Sequence, residues 1–196
     1  HCRSNPAFQA TLRIKPRKRL NHVRRHSKEE ASMLCYVNEI ENKINSQPFL
    51  SLSEVKQNLN SSASGFYWIY TNLPIERFIN ATTPTNAAHV DFAELSKLHD
   101  ALKHIIRPSN SDYYCVYNGK GKQLRNRIVA EFTNTPGKTG KLALFRCFQE
   151  CDFKIKYVVC GDDTSAIGVA AQYSQLERHL ERVWRLHIGW PVLCRA

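Results

Sequence analysis

The sequence predicts an α/β (α+β) domain. A small three-stranded sheet is flanked by helices, with a helical extension ahead of it and a helical insertion between its first two strands. Three observations predict this. Runs rich in aromatic and β-branched residues at 65–71, 113–118 and 153–160 read as strands. Segments with apolar residues at helical spacing, several of them behind caps, separate these runs. Hydrophobic residues make up 42% of 196, enough to bury one substantial core.

In chain order, residues 11–26 come first, a run without an acid that carries Arg13, Lys15, Arg17, Lys18, Arg19, Arg24 and Arg25. Pro16 interrupts any helix there, which predicts an extended basic arm. Ser27-Lys28-Glu29-Glu30 is a capping box, and Met33, Leu34, Val37, Ile40 and Ile44 follow on one face of a helix over 28–45. Ser51 or Ser53 caps a shorter helix through Leu59, and 61–64 is a loop that closes an extension spanning 1–62. The core, 63–196, opens on the strand Gly65-Phe66-Tyr67-Trp68-Ile69-Tyr70-Thr71. Residues 72–90 read as irregular, and Asp91 caps a helix running to about Ile106, ahead of Pro108. A second strand covers Tyr113 to Asn118, Gly119-Lys120-Gly121 turns the chain, and Gln123 to Phe132 is helical. After a loop at 134–137 a helix is predicted over Leu142–Phe148, then a strand from Phe153 to Cys160. Gly161-Asp162-Asp163-Thr164-Ser165 leads into a long helix ending near His187.

Charge narrows the function. The 28 Lys+Arg outnumber the 17 Asp+Glu, giving +11, and the pI is near 9.5. A polyanion is the expected partner. No run approaches the ~18 apolar residues of a membrane helix, and the chain opens without an apolar signal segment, on His1 rather than Met, so a missing start is expected. Seven scattered cysteines argue for buried thiols and a cytoplasmic setting over a disulfide framework. Cys147 and Cys151 lack a second pair at zinc-finger distance. Gly137-Lys138-Thr139 imitates a P-loop, but Phe132 stands where the earlier glycine must be. Asp162-Asp163 reads as a helix cap, with metal binding as the fallback.

Two segments carry the chemistry. Gly65-Phe66-Tyr67 opens the first strand, and Tyr117-Asn118-Gly119 ends the second, followed by Lys120-Gly121-Lys122-Gln123-Leu124-Arg125-Asn126-Arg127-Ile128. Glu181-Arg182-Val183-Trp184 lies on the last helix, with Pro191 beyond. The ordered set resembles the GIY-YIG nuclease family over residues 65–71, 113–132 and 153–192. Asn118 stands where that family carries an aliphatic residue, and Glu131 where many members carry a histidine. The tyrosines lie 50 positions apart, so the resemblance implies that 72–111 is an insertion.

The resemblance implies a Mg²⁺- or Mn²⁺-dependent endonuclease acting on double-stranded DNA. Tyr117 or Tyr67 would be the base, Arg127 and Lys120 would meet the phosphate, and Glu181 would hold the metal, with Glu177 as its rival. Glu131 joins this candidate catalytic set, while Lys122, Arg125 and the basic arm are candidate DNA contacts. A free phenol titrates near ~10, so a tyrosine base needs cations that favour phenolate; Lys120 and Lys122 are expected within one turn of Tyr117. Each residue also has an ordinary alternative: core tyrosines, a solvated arginine, and an i,i+4 pair between Glu181 and Arg185. A chain stopping 15 residues after Glu181 looks more like a restriction endonuclease than a repair or homing nuclease, and double-strand cutting then implies a homodimer. The competing class is a DNA- or RNA-binding module that keeps the scaffold without catalysis.

Overall fold

The segment SGFYWIYT is apolar at consecutive positions, which only a strand covered on both faces tolerates. It forms β1 (Ser64–Thr71), the middle strand of a three-stranded sheet of order β2-β1-β3. The structure, a computed structural model, describes residues 37–108, 113–133, 141–160 and 180–195. β2 (Tyr114–Gly121) and β3 (Phe153–Cys160) both run antiparallel to β1. This is an α+β arrangement with a small three-stranded sheet, as expected, and its strands are antiparallel.

Helices cover both sides. α1 (residues 37–46) and α6 (180–188) lie on one face, where Val37, Ile40, Ile44, Leu180 and Trp184 pack on Phe66, Trp68, Cys115 and Val158. The larger core lies on the other face. There α2 (Leu52–Asn58), α3 (Glu76–Ile79), α4 (Phe92–Asp100) and α5 (Leu124–Phe132) bring Leu52, Phe78, Phe92 and Phe132 against Tyr67, Ile69 and Ile155. Ser51 caps α2 through a complete capping box, and Asp91 Oδ1 accepts from Glu94 N at 3.0 Å to start α4. The segment predicted as an insertion is therefore part of the main core: Phe78 contacts Phe92 and Phe148, and Tyr114 Oη donates to the Leu73 carbonyl at 2.9 Å.

Four expectations need correction. Residues 72–90, read as irregular, contain the short helix α3 at Glu76–Ile79. The helix begun by Asp91 ends at Asp100, not Ile106. Its continuation is diverted because Ile106 N donates to the Trp190 carbonyl and Trp190 N to the His104 carbonyl, so 104–106 pairs with the C-terminal segment. The residues Gly119-Lys120-Gly121 do not turn the chain; they extend β2, paired with Tyr67, Phe66 and Gly65. Finally, Leu142–Phe148 is no α-helix. Ala143 adopts a left-handed φ of 52°, and only a 3₁₀ turn, Leu144–Arg146, follows. The basic arm, the first residues of the 28–45 helix, the loop at 134–137, the P-loop-like segment, Asp162-Asp163, Glu177 and most of the long last helix lie outside the described residues.

Candidate active site

The two tyrosines meet because β2 contains a bulge. Ile69 faces Tyr117 but Tyr70 faces Cys115, so Val116 is an extra residue on β2. The bulge turns both Val116 and Tyr117 toward the larger core, while Cys115 packs on the opposite side. Tyr117 thereby comes ring to ring with Tyr67, at 6.0 Å between centroids. Gly119 sits directly opposite Tyr67 in the register, and a β-carbon there would lie 2.5 Å from the Tyr67 hydroxyl. Only glycine leaves space for that ring, which explains the third residue of the Tyr-x-Gly motif. Gly65 is constrained likewise: its β-carbon would be 2.1 Å from the Val158 carbonyl oxygen.

α5 supplies the charges. Its first residue is fixed by Leu124 N donating to the Ala63 carbonyl at 2.8 Å, which aims Arg127 and Glu131, one helical turn apart, at the tyrosines. Glu131 is completely buried. Its Oε1 accepts from the Tyr67 hydroxyl at 2.8 Å and is ion-paired with Arg127 Nη2 at 2.7 Å. Its Oε2 accepts from Leu142 N at 2.9 Å. Arg127 also interacts electrostatically with Tyr117, and its own side chain is 35% exposed. The order from inside to outside is thus Tyr67, Glu131, Arg127 and solvent, with Tyr117 beside the guanidinium.

Burial sets the protonation states. It pushes the Tyr67 phenol far up, reinforced by Glu131. Tyr117 moves the same way for the same two leading reasons, and Arg127 only partly opposes them. The expectation that surrounding cations favour phenolate is therefore corrected: the net environment favours the neutral phenol. Burial also raises the Glu131 carboxyl against the pull of Arg127. Arg127 is disfavoured by burial, yet Tyr67, Glu131 and Tyr117 outweigh that and hold it charged.

Lys120 and Glu181 approach from the other face of the sheet. Lys120 pairs with Phe66 in the register, and its Nζ lies 4.0 Å from Glu181 Oε2. Their side chains are 21% and 18% exposed. Lys120 lies on β2 with Tyr117, so Glu181 approaches that edge strand from the opposite face. Oε1 of Glu181 is held by Arg185 Nη2, the i,i+4 pair that the spacing allowed. Lys122 is exposed at the end of β2 and Arg125 is half-buried on α5.

A divalent cation such as Mg²⁺ asks for hard oxygen ligands and keeps several waters. Glu181 supplies a carboxylate, but both its oxygens already face a cation: Oε1 is bonded to Arg185, and Oε2 is ion-paired with Lys120 at 4.0 Å. No group of three or more His, Cys, Asp or Glu gathers among the described residues, so this lining by itself does not make a site for such a cation. Sequence reasoning did not find the Tyr67–Glu131 bond or the role of Asn118, whose side chain accepts from Arg185. The only signal for the latter was a polar residue at a position expected to be aliphatic.

No protein-family model matches the sequence, and comparison with curated proteins and with solved structures finds no similar chain. Among the described residues no helix is long and apolar enough to cross a membrane.

Proposed function

We propose that this chain is a divalent-cation-dependent endonuclease of the GIY-YIG type that hydrolyses phosphodiester bonds of double-stranded DNA. The observation that carries this reading is that one edge strand, β2, brings Tyr117 beside Arg127 of α5 on one face and Lys120 beside Glu181 of α6 on the other. Fixed cations beside a phenol and a carboxylate match what in-line phosphodiester hydrolysis demands. Charge must be met on the phosphate, and a proton must leave the attacking water.

Tyr67 is sealed in the core and its hydroxyl is committed to Glu131. It acts as scaffold, and the base role falls to Tyr117. In the proposed step the water oxygen attacks phosphorus, its proton passes to Tyr117 Oη in the phenolate form, and the P–O bond to the leaving sugar oxygen breaks. That oxygen is protonated from solvent. Arg127 lies against the phosphate, its orientation fixed by Glu131, and Lys120 adds a second positive charge.

Within this class a sequence-specific restriction enzyme, cytoplasmic and acting as a homodimer, is the form we propose. A repair or homing nuclease would share the same centre. A second reading, a DNA- or RNA-binding module without hydrolysis, draws on one observation: Glu181 is already paired with Arg185. Plasmid cleavage separates the two. Nicking or linearisation in Mg²⁺ that stops with chelator and with Glu181→Gln supports the enzyme. Binding of duplex DNA with the plasmid left intact supports the module.

A further inference from the structure

Of the six large apolar side chains that stand exposed among the described residues, four belong to one region. Leu98 lies on α4, Leu102 just past its end, and Leu186 and Ile188 at the end of α6. Leu98 and Leu186 are the most open, at 67% and 66%. The two helix ends are tied together: His104 Nε2 donates to the Leu186 carbonyl at 2.8 Å, and residues 104–106 pair with Trp190. Leucines scattered singly over a surface need no explanation. A gathered apolar patch marks a surface that another molecule covers.

The charges around the patch narrow the partner. α4 turns Phe92, Ser96 and His99 inward, so its period places Asp91, Glu94, Leu95 and Leu98 together on one outer flank. Acids therefore stand at the N-terminal end of that flank, and Lys103 stands past the C-terminal end. Glu94 and Lys103 are both exposed, and neither is ion-paired with another described residue. A polyanion is repelled by the acids, and a basic peptide leaves Lys103 facing a like charge. A helix running the opposite way, with its own acid and base at its two ends, answers both ends at once. This chain carries such a helix. We propose that α4 and the end of α6 form a two-fold interface between two copies of this chain, with the α4 helices antiparallel. Leu98 packs near the axis, and Glu94 faces Lys103 of the partner subunit, twice. Two copies of a chain at +11 repel each other, so the paired charges are needed as well as the leucines. The interface gives the homodimer proposed above its surface, and it rests on the nuclease reading only in the cleavage arm of the test.

Sedimentation equilibrium of the full chain measures the association, with plasmid cleavage in Mg²⁺ followed beside it. The natural chain is expected to be a dimer at micromolar concentration. Leu98→Lys, at an exposed position, is expected to raise the dissociation constant by about 30-fold or more, as loss of a central interface anchor does. Glu94→Lys and Lys103→Glu each set like charges face to face twice, and each is expected to weaken the dimer by about 10–100-fold. Combined in one chain, the two changes restore opposite charges and bring the constant back to within about 3-fold of the natural value. Mixing the two single variants forms a heterodimer for the same reason. The charge exchange keeps the test intact if Leu98→Lys does not fold. A monomeric natural chain, a dimer indifferent to Leu98→Lys and to both charge reversals, or a double variant that stays apart each overturns the interface. Intact plasmid with the full association pattern retained sinks the nuclease reading and leaves the interface standing. Linearisation by a natural chain that sediments as a monomer does the reverse.

Discussion

Replacing Glu131 with alanine strikes the buried centre on which Arg127 and Tyr67 both depend. The carboxylate accepts from Tyr67 at 2.8 Å and Leu142 at 2.9 Å and is ion-paired with Arg127 at 2.7 Å. Removing it leaves the Tyr67 hydroxyl and the Leu142 amide buried without an acceptor, each costing about 1–3 kcal/mol. Arg127 is 35% exposed and can turn to water, so it adds little. Loss of the carboxylate's own desolvation penalty offsets part of the damage, and the net expectation is about 2–4 kcal/mol. That is a large share of the roughly 5–15 kcal/mol that holds a domain together. Urea unfolding followed by tryptophan fluorescence should show a lower midpoint with an unchanged slope. A double-mutant cycle makes the test sharper. In the natural background Tyr67→Phe removes a bond to a carboxylate and is expected to cost about 1.5–3 kcal/mol. In the Glu131→Ala background the same change deletes an orphaned hydroxyl and is expected to be neutral or stabilising. An equal cost in both backgrounds would refute the reasoning.

Other expectations follow from the same geometry. Gly119→Ala should destabilise by about 1–3 kcal/mol, because its β-carbon would meet the Tyr67 ring at 2.5–2.9 Å in a core that cannot yield; a thermal melt at or above the natural value contradicts the packing. The Glu131 carboxyl is raised by burial, so its neutral form is favoured by the fold, and its stabilising contribution is complete below the unfolded value near 4.5 and falls as pH climbs through the raised one. Measured against the non-titrating Glu131→Gln, the natural chain should therefore lose relative stability as pH rises above the unfolded value near 4.5, and a relative gain contradicts this sign. Because burial pushes the Tyr117 phenol above its ordinary range, cleavage should climb with pH past ~10 without levelling; a plateau near neutral pH assigns the base to another group.

The strands were legible because their composition is extreme. β1 and β3 match the aromatic and β-branched runs nearly residue for residue. The capped helices at Ser51 and Asp91 start where the side-chain oxygens predict. Failures occurred where long-range pairing decides local structure. The glycines at 119 and 121 read as a turn because the register that makes them strand residues, opposite Tyr67 and Gly65, involves partners more than 50 positions away. The α4 end failed for the same reason, through Trp190, whereas Leu142 is held 11 positions away by the Glu131 carboxylate. Of the candidate site, residue types and order were legible. The division of labour was not, because only burial tells the scaffold phenol of Tyr67 from the half-buried phenol of Tyr117.

The central claim is that Arg127, oriented by Glu131, meets a phosphate undergoing hydrolysis beside Tyr117. Single-turnover cleavage of labelled duplex DNA in Mg²⁺, comparing the natural chain with Arg127→Ala, tests it most directly. The expected result is strand scission by the natural chain and a loss of about 10²–10³-fold in the variant, with duplex binding weakened far less. Intact DNA in every condition, or equal scission by both proteins, would contradict it.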